Sequence, residues 1–123
     1  MSILLWILQV LLAVMFILAG AMKAFQSYDT MARRMPWVQD YSPSMVRGIG
    51  ALEILGGLGL ILPGLFGLLT VLTPLAAVGL AIIMVLATFH HLRRHESGQT
   101  GFTIALLVVL LFVAWGRFSL APL

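Results

Sequence analysis

Glu53 is the residue of this sequence with the most chemistry open to it, because it stands about ten residues into a long apolar segment that starts at Pro43 and continues to about Leu62. If that segment crosses a bilayer, Glu53 lies near the midplane. An ionised carboxylate costs several kcal/mol there, so it must be protonated, paired or hydrated. Its direction follows from spacing. Gly50, Gly57 and Gly64 recur every seven residues and form one smooth helical stripe. Glu53, three residues after Gly50 and four before Gly57, shares that stripe, whereas Gly59 lies off it. Small residues allow close helix approach in membranes, so the stripe and Glu53 are expected to face protein rather than lipid. Two readings stay open: a buried carboxyl that only ties helices together, and a proton, quinone or substrate site.

Basic partners are few. Lys23 ends the first apolar segment on a face shared with Ala19 and Gly20, and its long stem can reach inward toward Glu53. Arg47 is six residues before Glu53, about 120° around the same helix. A direct Arg47–Glu53 bridge is therefore not expected, but both can border one pocket. Snorkelling at a helix end is the ordinary alternative for Lys23 and Arg47.

His90 and His91 close the third apolar segment. Neighbours in sequence diverge by about 100° on a helix, so the two rings cannot meet one metal ion. His91 and His95 have the i, i+4 spacing of a metal pair, but the helix is expected to end between them, and no metal site is expected. His91 follows Ala77, Ala81, Met84 and Thr88 down a small, partly polar face, which makes it the inward candidate of the two histidines. There is no phosphate-binding glycine loop, no Ser–His–Asp order and no paired catalytic carboxylates. The seven methionines are scattered and read as packing.

The elements that must position these residues are four apolar spans. A span needs about 20 residues to cross about 30 Å of hydrocarbon at about 1.5 Å per residue. The expected spans are 3–23, 43–62, 73–92 and 101–117. Ser42-Pro43 and Thr73-Pro74 are start signals, and Pro63-Gly64 is expected to end the second span. The connection 24–42 is long and polar; its middle, Tyr28 to Met35, can form a short helix in the membrane interface, with Trp37 as a headgroup-level anchor. The apolar stretch 65–72 either extends the third span or lies shallowly in the interface. The short connection 93–100 makes the last two spans antiparallel neighbours. The expected fold is thus all-α: a single transmembrane domain over 1–123, built as an integral membrane bundle of four transmembrane helices.

Bulk composition supports this. Of 123 residues, 62% are hydrophobic and 9% charged, with a mean hydropathy of +1.12, whereas a soluble domain carries about a quarter charged residues. The net charge of +3 and pI near 10.2 reflect basic residues at span ends rather than a nucleic-acid surface. With no cysteine, disulfides, thiolate metal sites and a cysteine nucleophile are excluded. Lys23, Arg33, Arg34, Arg47, Arg93 and Arg94 fall on one side of the membrane and Arg117 on the other, so the basic side is expected in the cytoplasm and both termini outside. The first apolar run lacks a basic leader and is too long for a signal peptide, so it is read as a retained helix.

A family resemblance rests on particular stretches. They are Leu18-Ala19-Gly20-Ala21-Met22-Lys23, Met35-Pro36-Trp37-Val38-Gln39-Asp40, Arg47-Gly48-Ile49-Gly50-Ala51-Leu52-Glu53, Leu72-Thr73-Pro74 and His91-Leu92-Arg93-Arg94. Together they cover most of the chain, and Trp-Val-Gln-Asp and Arg…Gly…Glu are the most specific. The sequence resembles the DoxX-like family of small four-helix bacterial membrane proteins. The resemblance implies a cell inner membrane location. It also implies an accessory place beside a membrane redox complex, since the family takes its name from a small subunit of a thiosulfate:quinone oxidoreductase. A quinone near Glu53 and a protein partner are the corresponding expectations, and a homo-oligomer is compatible with them. The lack of cysteine argues against sulfur redox chemistry by this chain alone. A structural or chaperone-like protein that binds a client helix, and a small proton-coupled transporter, are the competing functional classes.

Overall fold

The computed structural model describes residues 1–123. Four long helices form the bundle: α1 (Ser2–Phe25), α3 (Pro43–Phe66), α4 (Leu72–Arg93) and α5 (Ser97–Trp115). Between the first two lies a short helix, α2 (Tyr28–Arg34), followed by a 3-10 turn over Pro36–Asp40. Each of the four, counting the extension of α5 through Leu120, is long and apolar enough to cross a membrane, with segment mean hydropathies of 1.9 to 2.7. At about 1.5 Å per residue, the 24 residues of α1 reach about 36 Å, more than the hydrocarbon thickness. The protein is therefore an integral four-helix membrane bundle, and its outward apolar side chains, such as Ile3, Leu18, Leu55 and Ile82, meet lipid rather than water.

Local chemistry explains the helix starts. Ser27 and Ser42 cap α2 and α3 by accepting hydrogen bonds from the backbone N–H groups of Thr30 and Met45. Pro36 and Pro43 occupy first-turn positions where no N–H is needed. The helices pack in a cycle, α1 on α3, α3 on α4 and α4 on α5, with α5 returning to α1 where Gly116 meets Leu5. The main core, including Leu12, Phe16, Leu60, Leu80, Leu110 and Val113, fills the interior of this cycle. A second, small core of Met31, Val38 and Val46 fastens α2 and the 3-10 turn over the start of α3. This segment is called the lid, and the opposite end, where α1 begins and α5 ends, the terminal end.

Three boundaries differ from the sequence expectation. First, α3 does not end at Pro63-Gly64 but continues to Phe66. Pro63 cannot donate to the carbonyl of Gly59, four residues earlier, and that carbonyl accepts instead from Thr73 Oγ1 of α4 at 2.9 Å. The helix ends at Gly67, whose left-handed backbone (φ +65°) and hydrogen bond to the Pro63 carbonyl close the last turn. Second, Thr73 sits inside α4, which begins at Leu72, so its hydroxyl repairs α3 rather than capping α4. Third, α5 begins at Ser97, with its polar first turn held by a Thr100 hydroxyl bond to the Glu96 carbonyl (2.9 Å). The apolar stretch 65–72 divides: Leu65 and Phe66 finish α3, Leu72 opens α4, and an exposed tip with Leu68, Leu69 and Val71 lies between.

Candidate lid-end cavity and its polar wall

The glycine stripe decides how deep polar side chains can go. Gly50 faces Gly20 of α1 so closely that a Cβ at Gly50 would stand 2.6 Å from the Gly20 carbonyl oxygen. Gly57 meets Ala13 and Ile17, and Gly64 meets the Trp6 ring. This face-to-face approach brings Lys23 of α1 beside Glu53 of α3. The ammonium Nζ lies 2.5 Å from Glu53 Oε1. Glu53 is buried at 2% exposure and Lys23 nearly so at 13%. The pair thus sits inside protein, Lys23 entering from the helix end and Glu53 from mid-span.

Residues of α1 and α3 on one side and of α4 and α5 on the other face a common space below the lid. The space between them is a cavity of about 630 Å³. Its walls are mainly apolar, among them Met15, Phe16, Met84, Phe102 and Leu106. Its polar lining includes Lys23, His90, His91, Trp37 and Tyr41 toward the lid, and Glu53 and Thr103 deeper in the bundle. Lys23 Nζ is also 5.7 Å from the Trp37 ring centroid, a cation–π distance. Trp37 meets Tyr41, His90 and His91 edge to face at centroid distances of 5.8, 6.4 and 6.3 Å.

The lid is tied to α4 by Asp40. Its Oδ2 accepts from Arg94 Nη1 at 2.7 Å and lies 3.0 Å from His90 Nε2, close but out of line for a hydrogen bond. The Arg94 hydrogen bond holds the Asp40 carboxyl below the usual carboxylate range. His91 turns to Glu96, with Nδ1 2.7 Å from Oε1. That hydrogen bond lowers the Glu96 carboxyl pKa, and because a carboxylate only accepts, His91 Nδ1 carries the proton. Within the lid, the Tyr28 hydroxyl reaches the carbonyls of Val38 (3.1 Å) and Tyr41 (2.7 Å).

Of the residues singled out from sequence, Lys23, Glu53, His91 and Trp37 come together here. Trp37 is half-buried against the polar wall. Arg47 does not border the cavity. Its Nη1 donates to the Lys23 carbonyl at 2.8 Å, so it caps the C-terminal end of α1 from α3 and positions Lys23 through the backbone. His91 and His95 are separated as expected: α4 ends at Arg93, and His95 adopts a left-handed φ of +58°.

A second polar cluster, at the terminal end, had no counterpart in the sequence reading. Gln9, fully buried, donates to the Leu60 carbonyl (2.6 Å) and accepts from Arg117 Nε (2.6 Å). Arg117 is drawn inward because α5 widens into a π-type turn over Gly116–Leu120, closed by the Ala121 N–H bond to the Gly116 carbonyl. The signal available was weak: Gln9 is the one polar interruption of the first span and Arg117 the one charge of the last.

No curated protein and no solved structure gave a significant match to the sequence. The sequence profile of the DoxX-like family matches residues 7–113, a stretch that includes the Lys23–Glu53 pair, the lid and the cavity walls, and the chain accordingly belongs to the DoxX-like family.

Proposed function

We propose that this protein is an accessory subunit of a quinone-linked membrane complex, and that the lid-end cavity holds the head of a quinone or a similar carbonyl-bearing amphiphile. The observation that supports this most is the division of the cavity into apolar walls and one polar end. Ligand sites typically occupy about 300–1,000 Å³ with a few convergent polar groups, and the 630 Å³ space fits that range. A quinone carbonyl accepts hydrogen bonds, and Lys23 is the ammonium donor at the polar end. Trp37 and Tyr41 offer ring surfaces to a flat head, and an isoprenoid tail can lie along Met15, Phe16 and Leu106. The chain has no cysteine, and in this reading its part is to bind and orient the head while a partner protein handles electrons.

The test is mass spectrometry of small molecules retained by the protein purified in mild detergent. A stoichiometric quinone in the wild type, and about tenfold less in Lys23→Met, is expected from the loss of one charge-assisted hydrogen bond. A stable wild type that retains no quinone and binds no added quinone analogue rejects the reading. A co-purifying apolar helix would point to a client-binding role, and substrate flux in proteoliposomes to a transporter.

The basic residues of the lid end support an inner-membrane orientation with the lid in the cytoplasm and both termini outside. Reporter fusions after Leu123 should be active outside the cytoplasm, and fusions near Gln99 inside it. A cytoplasmic C-terminus would overturn the orientation without touching the four-helix fold.

A further inference from the structure

Arg117 is buried at 3% exposure, yet no carboxylate of the chain pairs with it. All of its acceptors are neutral: Gln9 Oε1, Ser2 Oγ (3.1 Å), the Ser2 carbonyl (3.3 Å) and the Ala121 carbonyl (2.8 Å). The Trp6 ring, 5.5 Å from the guanidinium carbon, gives a further diffuse contact. Neutral partners satisfy N–H groups but leave the net charge uncompensated, and a buried charge without a counter-charge is the costly arrangement. Beside the guanidinium is a separate pocket of about 200 Å³ whose lining includes Thr70, Val71, Pro74, Phe118 and Pro122. It lies at the opposite end of the bundle from the lid-end cavity and shares no residue with it. Thr70 adds a hydroxyl donor, and the rest of the lining is Val71, Pro74, Phe118, Pro122 and Leu123.

We propose that this pocket is an oxyanion site, in which Arg117 receives a phosphate group and Thr70 supplies a second donor. Four of the five guanidinium N–H groups already have protein acceptors, so the phosphate takes the fifth, on Nη2, together with the uncompensated charge. The pocket adjoins the exposed apolar tip of Leu68, Leu69 and Val71, at the level where a span ends and phosphodiester headgroups begin. The phosphate can belong to a lipid headgroup or be free in solution; the guanidinium chemistry is the same.

The experiment is thermal unfolding of the intact protein in an alkyl maltoside, which carries no phosphate. Short-chain phosphatidylglycerol, inorganic phosphate or chloride is titrated in at constant ionic strength. Saturable stabilisation by phosphatidylglycerol alone assigns a lipid headgroup, and stabilisation by both phosphate compounds assigns a free oxyanion site. Arg117→Gln should weaken the response about tenfold or more, as expected for loss of a charge-assisted hydrogen bond. In case that variant fails to fold, Thr70→Glu places a carboxylate at the pocket. It should raise the unfolding temperature without phosphate and abolish the phosphate response. If neither phosphate compound stabilises the wild type beyond chloride, or if Thr70→Glu leaves the phosphate response intact, the proposal is overturned.

Discussion

Gly50→Leu should cost this protein more stability than any other single glycine replacement in α3. The added Cβ alone would lie 2.6 Å from the Gly20 carbonyl oxygen and 2.9 Å from the Ala24 nitrogen. Those are backbone atoms, so relief requires α1 and α3 to move apart, and even Gly50→Ala should be harmful. Overpacking a close contact costs about 1–3 kcal/mol and sometimes more, and the leucine is expected beyond the upper end. Gly57→Leu should follow, with a Cβ 2.7 Å from the Ile17 side chain and 3.1 Å from the Ala13 carbonyl oxygen. The matching control is Gly48→Leu, because a Cβ there meets nothing within 4 Å. Gly59, off the α1-facing stripe, is no such control: it faces α4, where a Cβ would stand 2.8 Å from that of Ala76. Thermal unfolding in mild detergent ranks the variants. Equal midpoints for Gly50→Leu and Gly48→Leu would remove the glycine contact as the seam of the bundle. Separation of α1 from α3 would also draw Lys23 away from Glu53, so under the proposed quinone reading weakened retention should accompany the lost stability.

That seam was legible in the sequence because a seven-residue glycine period has few causes in a membrane helix, and the same stripe set the direction of Glu53. Hydropathy alone delivered the number of spans, since bilayer thickness and helix rise leave little freedom. Helix ends were less legible. Pro63-Gly64 is a stop signal by local rules, and α3 passes it because Thr73, ten residues later in the chain, donates to the carbonyl that Pro63 leaves free. No local pattern carries that information. Arg47 was misplaced for a related reason: its angle relative to Glu53 was right, but its partner is the Lys23 carbonyl, and backbone acceptors leave no mark in a sequence. The lid contacts of Asp40 with Arg94 and His90 span fifty residues or more and depend on how α4 sits beside α3. Arg117 resembled an ordinary boundary arginine until a π-type turn carried it inward to Gln9. In each case the unread feature is a tertiary partner of a polar group; the Lys23–Glu53 approach could be read because each residue shares a helix face with small neighbours.

Removal of one member of the Lys23–Glu53 pair should cost more than removal of both. Breaking a buried ion pair costs about 3–5 kcal/mol when the survivor stays charged, whereas an apolar pair of similar volume is often neutral or better. The two members differ in how they can escape. Glu53 is at mid-span with 2% exposure and can shed its charge only by taking up a proton. Lys23 is near the end of α1, but its ammonium lies under Trp37 and its carbonyl is held by Arg47, which limits retreat to the surface. Glu53→Ala should therefore be the most damaging single change within the pair, near the lower end of that range because Lys23 keeps some access to water. Glu53→Gln should be milder, since its amide oxygen still accepts from Lys23. Lys23→Met should fall between, because the orphaned Glu53 carboxyl can become neutral. The double variant Lys23→Met/Glu53→Leu should recover much of the stability lost in Glu53→Ala and, under the proposed quinone reading, still fail to retain the ligand. This separates a pair that only ties α1 to α3 from one that also serves a ligand. If the double variant loses the sum of the single losses, the two groups are energetically independent despite their 2.5 Å contact, and the polar wall of the cavity cannot owe its position to their pairing.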